Sequence, residues 1–510
     1  MTARRGIWAI AICFLAVAPV AGLRAFPLSG DQTVLPPGTE LNEDALYRPT
    51  EVFHSEAHGG FKSYMIDLGD LAFNSPDVLG GAARQAGMSC GTCHVNGAGN
   101  SRLYVPGMST RPGNFDTTGP LFNPKAHNGV LDPVRIPSLR GARFLAPYGN
   151  DGRIASLRDF VRNVIVNEFS GPEPSPTVLD ALVAYIEDID FLRNTSLDSH
   201  GRLTAQTSPA ERRGEAIFIR PFPHDPTMSC ATCHIPSSAF VDHKQHDVGS
   251  GGLFKTPTLV NADFNAPYFH DGRYDRLDQV VSHFDQVFEL GLTPQERSDL
   301  TAYLTAVGDG ALPLDREGVT GRLKEINDFA SVFEIAIPNH DLAVIELAVS
   351  TVGQELRDLT EMFPDRRDAT VTGGLEQRLA ARAVLKDSVI RFRRIGSDAA
   401  AGRFDEAAAE FKEYRKLSVS VLPLSLGMAQ QWSLFNPAVH DAHYAALRRT
   451  LLQTQTMAQA RPDRRRRGHS ESDPGEPLSE GWLRRPHPTR VPTCTLRSVS
   501  VHVPISRNCI

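Results

Sequence analysis

Apolar residues return every three or four positions over several stretches of the chain, and that spacing predicts helices rather than strands. In residues 175–194, SPTVLDALVAYIEDIDFLRN, Val178, Leu182, Tyr185, Ile186 and Ile189 fall on one helical face. Residues 293–308, TPQERSDLTAYLTAVG, repeat the pattern behind a start signal: Thr293 as cap, Pro294 in the first turn, Glu296 three residues after the cap. Shorter helices are expected in LGGAARQAGMSC and RRGEAIFIRPFPHDPTMSC, and long connections rich in proline and glycine separate them. After a turn-rich linker near 308–318, Leu342, Ile345, Val349, Val352, Leu356 and Leu359 recur at helical spacing. A second pattern runs from Leu375 to Ile395, a third fills FDEAAAEFKEYRKL, and Tyr444 to Leu452 follows. Residues 313–455 therefore predict an antiparallel helical bundle whose stripes are core, with partner docking as its other conceivable role. The expected fold class is mainly α.

The two ends break the pattern. Arg4 and Arg5 precede an apolar run from Ile7 to Val20, with Ala21 and Gly22 after it. That is the layout of a secretory signal, assigned to residues 1–25, and the run is shorter than the roughly 20 residues of a membrane span. The mature chain is expected to be soluble in a bacterial periplasm, without a membrane span. From about residue 456 the chain turns basic and proline-rich, with RRRR at 464–467, and is expected to be disordered. The 510 residues are too many for one compact domain, while 41% hydrophobic and 22% charged residues suit a globular protein. A net charge of −6 gives no reason to expect a nucleic-acid surface.

Cysteine usage changes the picture. Cys13 lies in the signal, Cys494 and Cys509 in the tail, and the other four form two Cys-x-x-Cys pairs, each followed at once by histidine. One such motif is open to three readings: a redox dithiol, half a zinc site, or a haem attachment point. A dithiol does not need the histidine, and the two pairs lie too far apart for a zinc knuckle. MSCGTCH at 88–94 and MSCATCH at 228–234 differ only at Gly91 and Ala231. Two near-identical copies behind an export signal point to two covalently attached c-type haems. Cys90 and Cys93, and Cys230 and Cys233, would bond the vinyl groups, with His94 and His234 as proximal iron ligands.

The duplication continues downstream. RIPSLRGARFLAPYGNDGRIASLRDFV, residues 135–161, aligns without a gap with KTPTLVNADFNAPYFHDGRYDRLDQVV, residues 255–281. A unit repeated at this length reads as tandem domains, here 26–200 and 201–312.

With both SC-x-TCH sites, DVGSGGLFKTPTLVN, APYFHDGR and LTPQERSDLTAYL in view, the chain resembles the bacterial di-haem cytochrome c peroxidase family, including its MauG-type branch. The resemblance covers roughly residues 65–308. It implies two cytochrome c-like domains facing each other, one haem reacting with hydrogen peroxide and the other relaying electrons. The donor would be a small cytochrome c or cupredoxin; a MauG-like member would instead oxidise a protein partner. A di-haem electron-transfer cytochrome without turnover is the remaining alternative. By position the resemblance makes His127 a candidate distal ligand of the first haem, a solvated loop histidine being its other reading. At the second haem the family's methionine or tyrosine ligand is replaced by Phe284, with His283 beside it as a substitute, while His270 is expected to brace a loop. The family's inter-haem tryptophan reads Asn150, and its Glu/Gln pair reads Asp159-Phe160. The position of its calcium-associated asparagine reads Arg135, so calcium is not expected.

Overall fold

A computed structural model describes residues 35–459, apart from 43, 44 and 369. The expected signal, Cys13, Cys494, Cys509 and the tail beyond 459 lie outside these residues. Within them the chain is mainly α, with three short two-stranded sheets. Among the described residues no helix is long and apolar enough to cross a membrane.

The helices start where capping chemistry permits. Pro176–Asp188 begins after Ser175, whose hydroxyl accepts from the Val178 N–H, and it buries Leu179, Leu182, Tyr185 and Ile186. It ends at Asp188, short of the expected 194. Pro294–Gly308 carries the predicted capping box: Thr293 Oγ1 accepts from the Glu296 N–H at 3.2 Å, and Glu296 accepts from the Thr293 N–H at 2.9 Å. The Thr293 N–H, with the Arg220 guanidinium at 2.7 Å, holds the Glu296 carboxyl down at about 2.

Among the described residues, three apolar clusters organise the fold. One gathers residues from Phe53 to Ile189 and a second those from Phe218 to Val307. The third is built on helices Val319–Ser331, Leu342–Glu361, Leu375–Ala400, Phe404–Val419 and Val421–Ala429. The stripe of helix Leu342–Glu361 is buried from Val344 to Leu359 as its period requires, although Leu342 itself is exposed. The first and last helices of this group, Val319–Ser331 and Val421–Ala429, carry few periodic signals and lie outside the patterns that predict the bundle. Leu68, Leu71 and Ala181 belong to the same cluster, so the bundle shares its core with the first copy of the repeat. The linker also holds more than turns: Leu314–Arg316 pairs antiparallel with Tyr47–Pro49, returning the chain to the segment that precedes the first Cys-x-x-Cys turn. Helix Pro437–Gln459 runs past residue 456, where the tail was expected to begin.

Candidate functional site: two matched Cys-x-x-Cys-His turns

Each Cys-x-x-Cys pair forms a single helical turn, Cys90–Cys93 and Cys230–Cys233. The flanking residues common to both copies explain the turn. The Ser89 N–H donates to Thr92 Oγ1 at 3.0 Å, and the Ser229 N–H donates to Thr232 Oγ1 at 2.9 Å. The serine and threonine of SC-x-TCH are thus the start of the turn. The one difference between the copies is also accounted for: a Cβ on Gly91 would stand 2.3 Å from Asn74 Oδ1.

All four thiols are free, with no disulfide in either pair. Burial pushes Cys90, Cys93 and Cys230 up to about 12, and raises Cys233 as well. These thiols are therefore protonated and poorly nucleophilic at neutral pH, unlike those of a reactive dithiol. Each histidine has one nitrogen engaged. His94 Nδ1 donates to the Pro137 carbonyl at 2.9 Å, and His234 Nδ1 donates to the Phe240 carbonyl at 3.1 Å. A carbonyl accepts only, so the proton sits on Nδ1 and the Nε2 lone pair is free to bind a metal. Burial lowers both imidazoles, His94 to about 4, which keeps that lone pair unprotonated.

Behind each histidine stands the same crossing of two helices. Phe73, at the end of helix Tyr64–Phe73, lies 6.5 Å from the His94 ring and 5.0 Å from Tyr185. Phe218 of helix Pro209–Ile219 lies 6.5 Å from His234 and 4.9 Å from Tyr303. A glycine allows the close approach in each case. A Cβ on Gly69 would meet the Ala181 oxygen at 2.0 Å, and one on Gly214 would meet the Asp299 oxygen at 2.1 Å. Sequence reasoning missed Gly69 and Gly214; aligning the two pre-motif helices on their glycines would have found them.

The residues fit a covalently held haem. The first turn presents both reduced thiols, and the second its Cys230, against an apolar cluster, and each turn ends in an imidazole with a free Nε2. Nearby, Arg135 and Arg140 each bury an Nε without a hydrogen-bond partner, the kind of donor a carboxylate-bearing cofactor engages. Cys233 also lies with Asp242 and His246 in a group whose ligand atoms fall within 4.8 Å of one another. Among the described residues the first copy has no counterpart of that group.

The other candidates are placed less favourably. His127 is exposed, with Nδ1 3.2 Å from the Thr118 carbonyl, on a loop away from the paired turns in sequence. His283 offers no nitrogen in this conformation: Nε2 donates to the Val248 carbonyl at 2.8 Å, and Nδ1 accepts from the Tyr274 hydroxyl at 3.1 Å. Phe284 stacks on Phe288 with ring centres 5.9 Å apart. His270 stacks on Phe254 at 3.7 Å with a buried, unpartnered Nδ1, while its carbonyl accepts from the Arg135 N–H at 2.6 Å. Asp159 is exposed in the first turn of helix Leu157–Asn163. A carboxyl that sequence reasoning passed over, Glu168, is held by Arg153 at 2.5 Å and Asn163 at 3.0 Å, and burial raises it. It stands in the π-helical turn Val164–Glu168, which no periodicity in the sequence marks.

Comparison with known proteins agrees with the motifs. Residues 213–357 match the family model for di-haem cytochrome c peroxidase. The chain is similar to hydrazine synthase subunit gamma of Kuenenia stuttgartiensis, 26% identical over 318 residues that cover 50% of this chain and 81% of that one. It is also similar to the methylamine utilization protein MauG of Methylorubrum extorquens, 24% identical with the same shares covered. A solved MauG-like protein associated with microbial copper homeostasis aligns at 18% identity, over 52% of this chain and 94% of that one, with a TM-score of 0.36.

Proposed function

The chain belongs to the di-haem cytochrome c peroxidase and MauG family, and from that premise we propose that it is an exported oxidoreductase with two covalently attached haems. Cys90, Cys93 and His94 hold one, and Cys230, Cys233 and His234 the other, as tandem cytochrome c-like domains over 26–200 and 201–312. The observation that carries this reading is the matched pair of turns, each with its histidine Nδ1 committed to a carbonyl and Nε2 left for iron. Haem supplies one-electron chemistry at iron and, where an axial position is open, activation of peroxide.

The first site is assigned to hydrogen peroxide and the second to electron relay from a small cytochrome c or cupredoxin. The protein's part is to orient and insulate. The carbonyls of Pro137 and Phe240 fix the imidazole tautomer and ring plane and raise the basicity of Nε2. The helix crossings at Gly69 and Gly214 keep water from the rear of each histidine with Phe73, Tyr185, Phe218 and Tyr303. The 116–118 turn touches both Glu168 and the His127 loop. It therefore brings a carboxyl whose proton affinity is raised by burial and the candidate distal histidine onto one segment. Phe284 supplies no ligand atom to the second site, and without a thioether there a lower reduction potential is expected.

Oxidation of a protein partner is the second reading, favoured by the alignment that runs over 81% of the M. extorquens MauG chain. Purified holoprotein tests both. Two haems per chain in a pyridine haemochrome assay, with peroxide turnover supported by a reduced small cytochrome, are the expected results. Fewer than two haems, or two irons whose spectra ignore peroxide in every redox state, would overturn the proposal.

A further inference from the structure

The two copies meet through contacts that each gives to the other in kind. The Arg135 N–H donates to the His270 carbonyl at 2.6 Å, and the Lys255 N–H, at the aligned position, donates to the Asn150 carbonyl at 3.0 Å. Asn114, the strand partner of Arg135, donates its side-chain amide to the Asp271 carbonyl at 3.1 Å. Gln245, the strand partner of Lys255, does the same to the Asp151 carbonyl. The side-chain cations complete the exchange. Arg135 Nη1 donates to the Asn265 carbonyl at 3.1 Å, and Lys255 Nζ donates to the Leu145 and Pro147 carbonyls at 2.6 and 2.7 Å.

We propose that Arg135 and Lys255 are paired positioning residues of the seam between the two sites, holding the copies in register and supplying positive charge that both sites feel. The charge-setting half rests on the reading that both sites carry haem. The need for a cation follows from the Ala-Pro-Tyr loops. Proline has no N–H, so each loop carries more acceptors than donors, and buried carbonyls require partners from outside. Each loop finds them on the other copy. An ammonium, with three donors and no acceptor, satisfies two carbonyls at once without bringing a lone pair into contact with them. The Lys255 Nζ also sits 5.7 Å from the Tyr148 ring, a further contact that suits a cation. Burial pulls Lys255 down to about 8 and Arg135 to about 10, so both remain charged at neutral pH.

A residue that only packed the seam would alter stability alone. A fixed positive charge between two redox centres also favours their reduced forms, so the test reads potential as well as stability. In the holoprotein, Lys255→Met keeps the stem of the side chain and removes the charge. It is expected to raise the oxidised fraction of the haems severalfold at a fixed applied potential, while Lys255→Arg leaves it close to the parent value. Lys255→Ala is expected to lower the melting temperature of the full chain. n-Propylammonium, which replaces the missing atoms, should restore it saturably, and n-propanol should not. Unchanged potentials in Lys255→Met, or equal rescue by propanol, would overturn the proposal. A haem count below two would sink the functional reading instead, and the ammonium rescue, read on the chain itself, would still decide the seam.

Discussion

In both copies of the repeat a helix carrying a phenylalanine at or near its C-terminal end crosses a second helix at a glycine, and that phenylalanine packs between a tyrosine and the motif histidine. The surroundings of the two crossings are opposite in character. In the first copy, helix Tyr64–Phe73 turns Leu68 and Leu71 into the core of the bundle. Its Asp70 lies buried beside Lys62, 3.3 Å away, and Lys62 also reaches Asp328 of bundle helix Val319–Ser331 at 3.7 Å. Tyr185 donates its hydroxyl to Glu51 at 2.5 Å inside the same cluster. In the second copy the corresponding outer surface faces water, and the helices are joined by a bidentate pair of Arg213 with Asp299. One local scaffold is therefore held by shared core and buried charge in one place, and by itself in the other. The bundle acts as the outer wall of the first site.

The sharpest way to break this comparison is to fill the two glycines. Gly69→Ala drives a methyl into the Ala181 carbonyl where bundle and helix pair leave no room to shift. It should cost about 3 kcal/mol in denaturant unfolding. Gly214→Ala meets an equal clash but relaxes toward solvent, and about half that loss is expected. Equal losses would mean that the bundle does not confine the first crossing.

Removing the buried hydroxyl comes next. Tyr185→Phe leaves the Glu51 carboxyl without its donor and should cost about 2 kcal/mol by the same measurement. Tyr303→Phe, which breaks no carboxylate hydrogen bond, should be close to neutral.

A third test uses pH. Burial raises Glu51 from 4.5 to about 7. A carboxyl with a raised folded value binds its proton more tightly in the fold, so its stabilising contribution is present below about 4.5 and lost as pH rises through about 7. Glu51→Gln should flatten that decline by about 2 kcal/mol between pH 5 and pH 7.5, as seen in urea unfolding at each pH. An unchanged slope would remove Glu51 from the account. The smallest effect is expected from Arg213→Ala, whose guanidinium is largely exposed. Asp299 is buried but keeps the Gln295 amide as a donor at 3.0 Å, so the loss should be small and should shrink in high salt.

Much of this was legible in the chain. The Cys-x-x-Cys-His turns, the gapless downstream repeat and the capped helix after Thr293 follow from local chemistry, where a cap or a spacing acts within a few residues. The periods from Leu342 onward foretold the bundle helices for the same reason. Helices Val319–Ser331 and Val421–Ala429 were less visible because their stripes are short or apolar all round. His283 was an open candidate in the sequence because only the fold shows that Val248 and Tyr274 take both its nitrogens.

By itself, then, the sequence determined what each short segment must do: two thiols and a histidine at a spacing suited to one cofactor, twice over. Tertiary structure alone decided what each segment faces. Which glycine touches a carbonyl, which carboxyl is stranded in a core, and which cation reaches across to the other copy depend on contacts between residues tens to hundreds of positions apart. Local pattern carries no record of such contacts, because burial and hydrogen bonding are properties of the assembled surfaces and not of the residues that form them.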